Sequence, residues 1–189
     1  MHCHLAISLA VALGVAAPVL SQDSGSKDKS LDVRSSVGDL HVGKDADAKK
    51  VGLPLYPGAR LKSNDQDQSQ ANLSIATESF GMKLVVANYV SDDAPGKLLD
   101  FYRDKLKKYG KVLECHSAKL NGDVSAHDDD KDSGKSKELK CDGNSGPVTE
   151  LKVGTEDNQH VVAVEPGEGS KGSKFALIYV HTRGQQGDI

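Results

Sequence analysis

Tryptophan is missing from this chain, and the other large aromatics are sparse, three Phe and five Tyr in 189 residues. A surface that binds nucleic acid stacks bases on aromatic rings inside a basic field; here the formal charge is -3 and lysines are interleaved with aspartates, which excludes that partner. Cysteine is also scarce, at three, and neither C-x-x-C nor H-E-x-x-H spacing occurs, so the common redox and zinc patterns are absent. The most apolar stretch, residues 5–17, is too short to span a bilayer. No transmembrane anchor is expected in the mature chain.

That apolar stretch has the length of a signal-peptide h-region, and Val19-Leu20-Ser21 places β-branched and small residues at the -3 and -1 positions of a cleavage site. Residues 1–21 therefore read as a signal peptide, with the mature chain starting at Gln22. Met1-His2-Cys3-His4 departs from the usual pattern because it carries no Lys or Arg, and Cys3 precedes the apolar run, so it sits in no lipobox. A buried N-terminal helix is the weaker reading, since the polar tract behind it offers nothing to pack on. Export implies a periplasmic or extracellular protein.

Residues 22–50 read as a flexible leader: residues 22–30 hold no apolar side chain to offset the entropy of ordering. Alternation in Leu31-Asp32-Val33-Arg34 and Leu40-His41-Val42 fits a short hairpin or an added edge strand, and equally a linker with scattered aliphatics. The folded domain is expected over 51–183, with a disordered tail over 184–189. It opens on Leu53-Pro54-Leu55-Tyr56-Pro57-Gly58-Ala59, held extended by its prolines.

Strands are predicted at 73–77 and 82–90, turning at Phe80-Gly81. Asp92-Asp93-Ala94-Pro95 then supplies capping carboxylates and a first-turn proline for a helix. Leu98, Leu99, Tyr102, Leu106 and Tyr109 form its apolar stripe, opposite Asp100, Arg103, Asp104, Lys107 and Lys108, and Gly110 ends it as a left-handed cap. Burying that stripe contributes on the order of 10 kcal/mol before entropy is subtracted, so the helix must lie on the sheet. Further strands are predicted at 112–115, 138–141, 148–153, 161–164 and 175–180, the last being the most apolar and central. The fold class is α+β: an antiparallel β-sheet with one main amphipathic helix packed on it.

The 53–59 segment with its Tyr-Pro-Gly-Ala, the strand ending at Val90, Phe101-Tyr102 with Leu106 and Gly110, and the closing apolar strand together resemble a module of uncharacterised secreted bacterial proteins. The resemblance spans about 51–183. It implies bacterial export and a small α+β fold, and it assigns no catalytic residue.

Cys115 and Cys141 bracket a polar insertion and, in an exported chain, are expected to form a disulfide. In that insertion Asp128, Asp130 and Asp132 fit the first acidic positions of a calcium loop, but Ser133 stands where glycine is needed and Leu139 where a bidentate Glu is needed. Gly167-Glu168-Gly169-Ser170-Lys171-Gly172 matches a dinucleotide fingerprint on paper, yet a strand follows it instead of a helix, which makes it a hairpin loop. His41, His160 and His181 are isolated in strand-like segments. No metal or cofactor is expected.

These features point to an exported, non-catalytic cell-envelope protein that binds a partner or small ligand, using its sheet or a groove beside Tyr56 and Tyr102. The alternative is a hydrolytic or other envelope enzyme with dispersed residues such as His116, His160 and Asp142. Converging polar groups in a deep pocket would favour the enzyme, and a filled core the binding protein.

Overall fold

The computed structural model describes residues 30–62, 70–120, 138–141 and 144–184. A hairpin of β1 (Leu31–Ser35) and β2 (Gly38–Gly43) leads to a one-turn helix α1 (Ala48–Val51) and a two-residue strand β3 (Arg60–Leu61). Then follow β4 (Gln70–Ala76), β5 (Gly81–Ser91), helix α2 (Pro95–Leu106), β6 (Leu113–Ser117), β7 (Val148–Thr155), β8 (Asn158–Pro166) and β9 (Ser173–Arg183). Every pairing is antiparallel, in the order β1-β2-β4-β5-β9-β8-β7-β6, with β3 on β5 beyond the end of β4. The chain is thus mostly β with one main helix, and β9, the most apolar strand, is central.

Because side chains alternate across a strand, each face of this sheet has its own composition. On the helix face, Leu98, Tyr102 and Leu106 of α2 reach Leu151, Val153, Val162, Val164, Phe175 and Leu177, all within 1% of complete burial. Tyr56 and Leu53 from the proline-flanked segment, with Ala46, Ala48 and Val51 around α1, extend this core toward Val85, Ala87 and Tyr89 of β5. The opposite face buries Val148, Val161, Ala163, Ala176, Ile178 and Val180, with Leu84, Val86 and Leu120 against them.

Several local expectations are corrected. The hairpin at 31–43 is part of the sheet, β2 pairing with β4 from Asp39 to Gly43, so the sheet takes in residues that precede the expected domain start at Val51. Asp92 and Asp93 do not cap α2: its N-cap is Ala94, without a side-chain bond, and Pro95 opens the helix. Asp92 instead forms a bidentate pair with Arg60 at 2.8 and 2.9 Å, and Asp93 accepts from Tyr56 Oη at 2.9 Å and Lys97 Nζ at 2.6 Å, tying the proline-flanked segment to the helix start. Gly110 has φ 138° and ψ -159°, outside the left-handed helical region, because a 3-10 turn over Lys107–Tyr109 intervenes after Leu106. No strand runs over 138–141; Glu138 makes a single bridge to Thr155. The signal peptide at 1–21, the leader residues before Ser30, residues 185–189 of the tail, Asp142 and the carboxylates Asp128, Asp130 and Asp132 lie outside the described residues.

The two edges of the sheet differ. Along β6, the His116 N–H donates to Asn144 Oδ1 at 2.9 Å, and Gly146 lies so close to Ser117 that a Cβ there would stand 2.0 Å from the Ser117 carbonyl oxygen at a φ of +140°. Such an approach requires glycine. Along β1, no described residue adds a strand outside it. Among the described residues, no helix is long and apolar enough to cross a membrane.

Candidate functional site

Cys115 and Cys141 form a disulfide with 5.4 Å between Cα atoms, closing the polar insertion against β6. Closing 26 residues stabilises a fold by roughly 3 kcal/mol in the loop-entropy model. In a Cys3→Ser background, alkylation without reductant is expected to leave the intact mass unchanged, and reduction to lower stability by about that amount; two modified thiols would contradict the bond.

Cys115 faces Glu150 across β6 and β7, and there the sheet buries an ion pair. Lys152 Nζ lies 3.0 Å from Glu150 Oε2, with side-chain exposures of 4% and 1%, and Ser117 Oγ donates to Glu150 Oε1 at 2.6 Å. Glu150 and Lys152 share a face because they are two apart on a strand. That face also carries Val148, Val161 and Ala163, so apolar side chains flank the pair. A seryl hydroxyl that donates to a buried carboxylate already held by an ammonium is a structural bond.

At the far side of the helix face, register places Asp32 opposite His41. Asp32 Oδ1 meets His41 Nδ1 at 2.8 Å, while His41 Nε2 lies 3.3 Å from Asp45 Oδ1, which also accepts from Asn72 Nδ2 at 3.1 Å and pairs through its other oxygen with Lys50. The Lys50 ammonium holds the Asp45 carboxyl well below the usual carboxylate range. The Asp32 bond, followed by Asp45, raises His41 above its ordinary value. A histidine with both ring nitrogens on carboxylates offers no free base, so this cluster is a clasp between β1, β2 and the segment before α1. The contribution of His41 is complete below its ordinary value of 6.5 and is lost as pH rises through the elevated folded-state value.

His160 titrates in the other direction. Its ring is stacked on Tyr109 with centroids 3.9 Å apart and tilted against Tyr179 at 4.8 Å; burial, then the Lys108 charge, lower it to about 4, against a bond to the Val51 backbone. A histidine neutral in the fold and free to protonate when unfolded stabilises fully above pH 6.5, and that contribution is lost as pH falls toward 4. We expect urea melts at pH 7 and pH 4.5 to differ by on the order of 2 kcal/mol more in the native chain than in His160→Phe, which keeps the stack without the proton.

No family model matches this chain, and neither a curated protein nor a solved structure matches it. The site must be read from geometry.

Tyr56 and Tyr102, beside which a groove is expected from sequence, are both buried in the helix-face core. Tyr102 is fully buried, its ring tilted against that of Phe175 with centroids 5.8 Å apart, and its Oη accepts the Tyr56 N–H at 3.1 Å; Tyr56 is 9% exposed and stands edge-on to Phe101. The Tyr102 hydroxyl is thus engaged within the core, and that of Tyr56 donates to Asp93. His116 and His160 do not converge: His116 is opposite Thr149 on β7, whereas His160 on β8 is opposite Val153, four residues further along β7 and across its other edge. His181, half-buried on β9, is 6.4 Å from the Tyr179 ring. No group of three or more His, Cys, Asp or Glu among the described residues could hold a metal. A depression of about 310 Å³ beside the β1–β2 turn, reaching Thr77 and Arg183, lies open to solvent and would leave a ligand mostly hydrated.

The surface that stands out is apolar. Leu31, Val33, Leu40 and Val42 of the hairpin, Leu73 and Ile75 of β4, and Leu84 and Val86 of β5 lie on one face by register, the face opposite the helices. Leu31 is 53% exposed and Val33 and Val42 are each 42% exposed. Alternation in the sequence identifies these as one side of a hairpin. It does not reveal that the side is continuous with β4 and β5.

Proposed function

We propose that this is an exported, non-catalytic protein of a bacterial cell envelope, which binds a partner across the exposed apolar face of β1, β2, β4 and β5. The observation that carries the reading is that face: it continues a buried sheet surface outward until Leu31, Val33 and Val42 stand in water, and exposed apolar patches of this kind mark contact surfaces. The filled helix-face core and the separation of His116 from His160 weigh against the enzyme alternative. The disulfide supports an oxidising compartment, and the resemblance to secreted bacterial proteins points the same way.

Two measurements test this. N-terminal sequencing of material from the producing cell should begin near Gln22, and intact Met1 in a cytosolic fraction would overturn export. A photoreactive side chain at Val42, on the apolar face, should give a discrete adduct in envelope extract, while one at Asp39, on the other face, should not; no adduct from Val42, or the same adduct from both, would overturn the binding surface.

A further inference from the structure

We propose that β1 pairs antiparallel with β1 of a second copy of this chain, about a two-fold axis through Val33, so that two sheets join edge to edge. Sheet edges are normally blunted by lysine, proline, a bulge or a covering segment. The β6 edge is covered in that way by Asn144 and Gly146. β1, Leu-Asp-Val-Arg-Ser, has no lysine or proline and pairs with β2 without a bulge; among the described residues no strand lies outside it, and all five of its residues are exposed, its two charges being of opposite sign.

The occupant follows from the order of charges. Directly opposed residues in an antiparallel pair share a face, so a two-fold axis must pass through a residue. Centred on Asp32, the pairing sets that carboxylate against its own copy; centred on Arg34, it sets two guanidiniums together. Centred on Val33, it places Asp32 opposite Arg34 of the second copy twice over, Val33 against Val33, and Leu31 against Ser35. Within each chain Asp32 already lies opposite His41, and Arg34 opposite Asp39. The Val33 register therefore completes a row of alternating sign, His41, Asp32, then Arg34 and Asp39 of the second copy, and covers part of Leu31 and Val33 on the other face. This inference concerns the edge and a self-partner, and it stands whether or not the apolar face binds anything else.

A five-residue edge buries little area, so the dimer should be weak, with Kd on the order of 100 µM. Sedimentation of the full chain in a Cys3→Ser background from about 10 µM to 1 mM, the range that brackets such an affinity, should show a concentration-dependent dimer. Arg34→Glu should weaken it at least fivefold, because Arg34 would then face Asp32 of the other copy with like charge. A dimer formed through the apolar face would not respond, since Arg34 is on the opposite side. Circular dichroism would verify that this variant still folds. As a second readout, Val33→Cys should cross-link to itself under mild oxidation much faster than Val37→Cys at the hairpin tip, since opposed Cα atoms at the axis fall within disulfide reach. A chain that stays monomeric at 1 mM overturns the proposal, as does a dimer indifferent to Arg34→Glu, or equal cross-linking at 33 and 37.

Discussion

Replacing Lys152 with methionine is expected to destabilise the protein by about 3–5 kcal/mol, a large fraction of the stability of a domain this size. The loss comes less from the missing attraction than from what is left behind. Glu150 is 1% exposed and sits on a strand face shared with Val148 and Ala163, so removing the ammonium takes away a partner 3.0 Å from its carboxylate at a position shielded from water, with Ser117 Oγ still donating to it. Replacing both partners, as Glu150→Leu with Lys152→Met, should cost far less and could leave stability unchanged, because the desolvation of two charges is removed together with their attraction. Ser117 Oγ retains an acceptor in that variant, the Lys119 carbonyl at 3.1 Å. Urea titration of native, single and double variants at 25 °C gives the comparison. A single variant costing less than about 1 kcal/mol would mean the pair behaves as a solvated surface bridge.

Such a pair explains why some of this molecule was legible in sequence and some was not. Leu98, Tyr102 and Leu106 could be placed because a helix repeats its buried face every three or four residues, and β9 could be placed centrally because both of its faces are apolar. Cys115 and Cys141 are the two cysteines that bracket the polar insertion, a spacing that suggests a bond between them. All three signals are local or compositional. The helix start misleads in sequence because Asp92 and Asp93 sit where capping carboxylates belong, while their partners, Arg60, Tyr56 and Lys97, are set mainly by how the proline-flanked segment docks. The hairpin at 31–43 was ambiguous for a related reason: its apolar side is exposed, so nothing in its own composition distinguishes a sheet strand from a linker. The Asp32–His41 contact could have been found from the hairpin register alone, whereas Asp45, Asn72 and Lys50 join it only through the pairing of β2 with β4 and the fold of the next segment. His160 likewise looks isolated in sequence, and acquires Tyr109 and Tyr179 from elements 51 residues before it and 19 after it.

Leu106→Asp should abolish the native fold. Leu106 is fully buried, in the last turn of α2, in the same core cluster as Leu151, Val153 and Val162. Truncating a buried leucine to alanine costs about 2–5 kcal/mol through lost transfer energy and the cavity left behind. Aspartate adds to this a carboxylate with no cation provided for it, worth several kcal/mol more even after relaxation. Since domains of this size are stable by about 5–15 kcal/mol in total, the two contributions together consume most or all of it. The expected result is a chain without a cooperative thermal transition by circular dichroism. Leu106→Ala should still melt cooperatively at a lower temperature, and Lys107→Asp, one residue along on the exposed side, should change stability by less than about 1 kcal/mol. The contrast between adjacent positions matters most: the same aspartate that water solvates at 107 must displace apolar neighbours at 106. A cooperative, near-native melt of Leu106→Asp would mean that α2 can lift away from the sheet, and that the helix-face core around Phe175 stands without it.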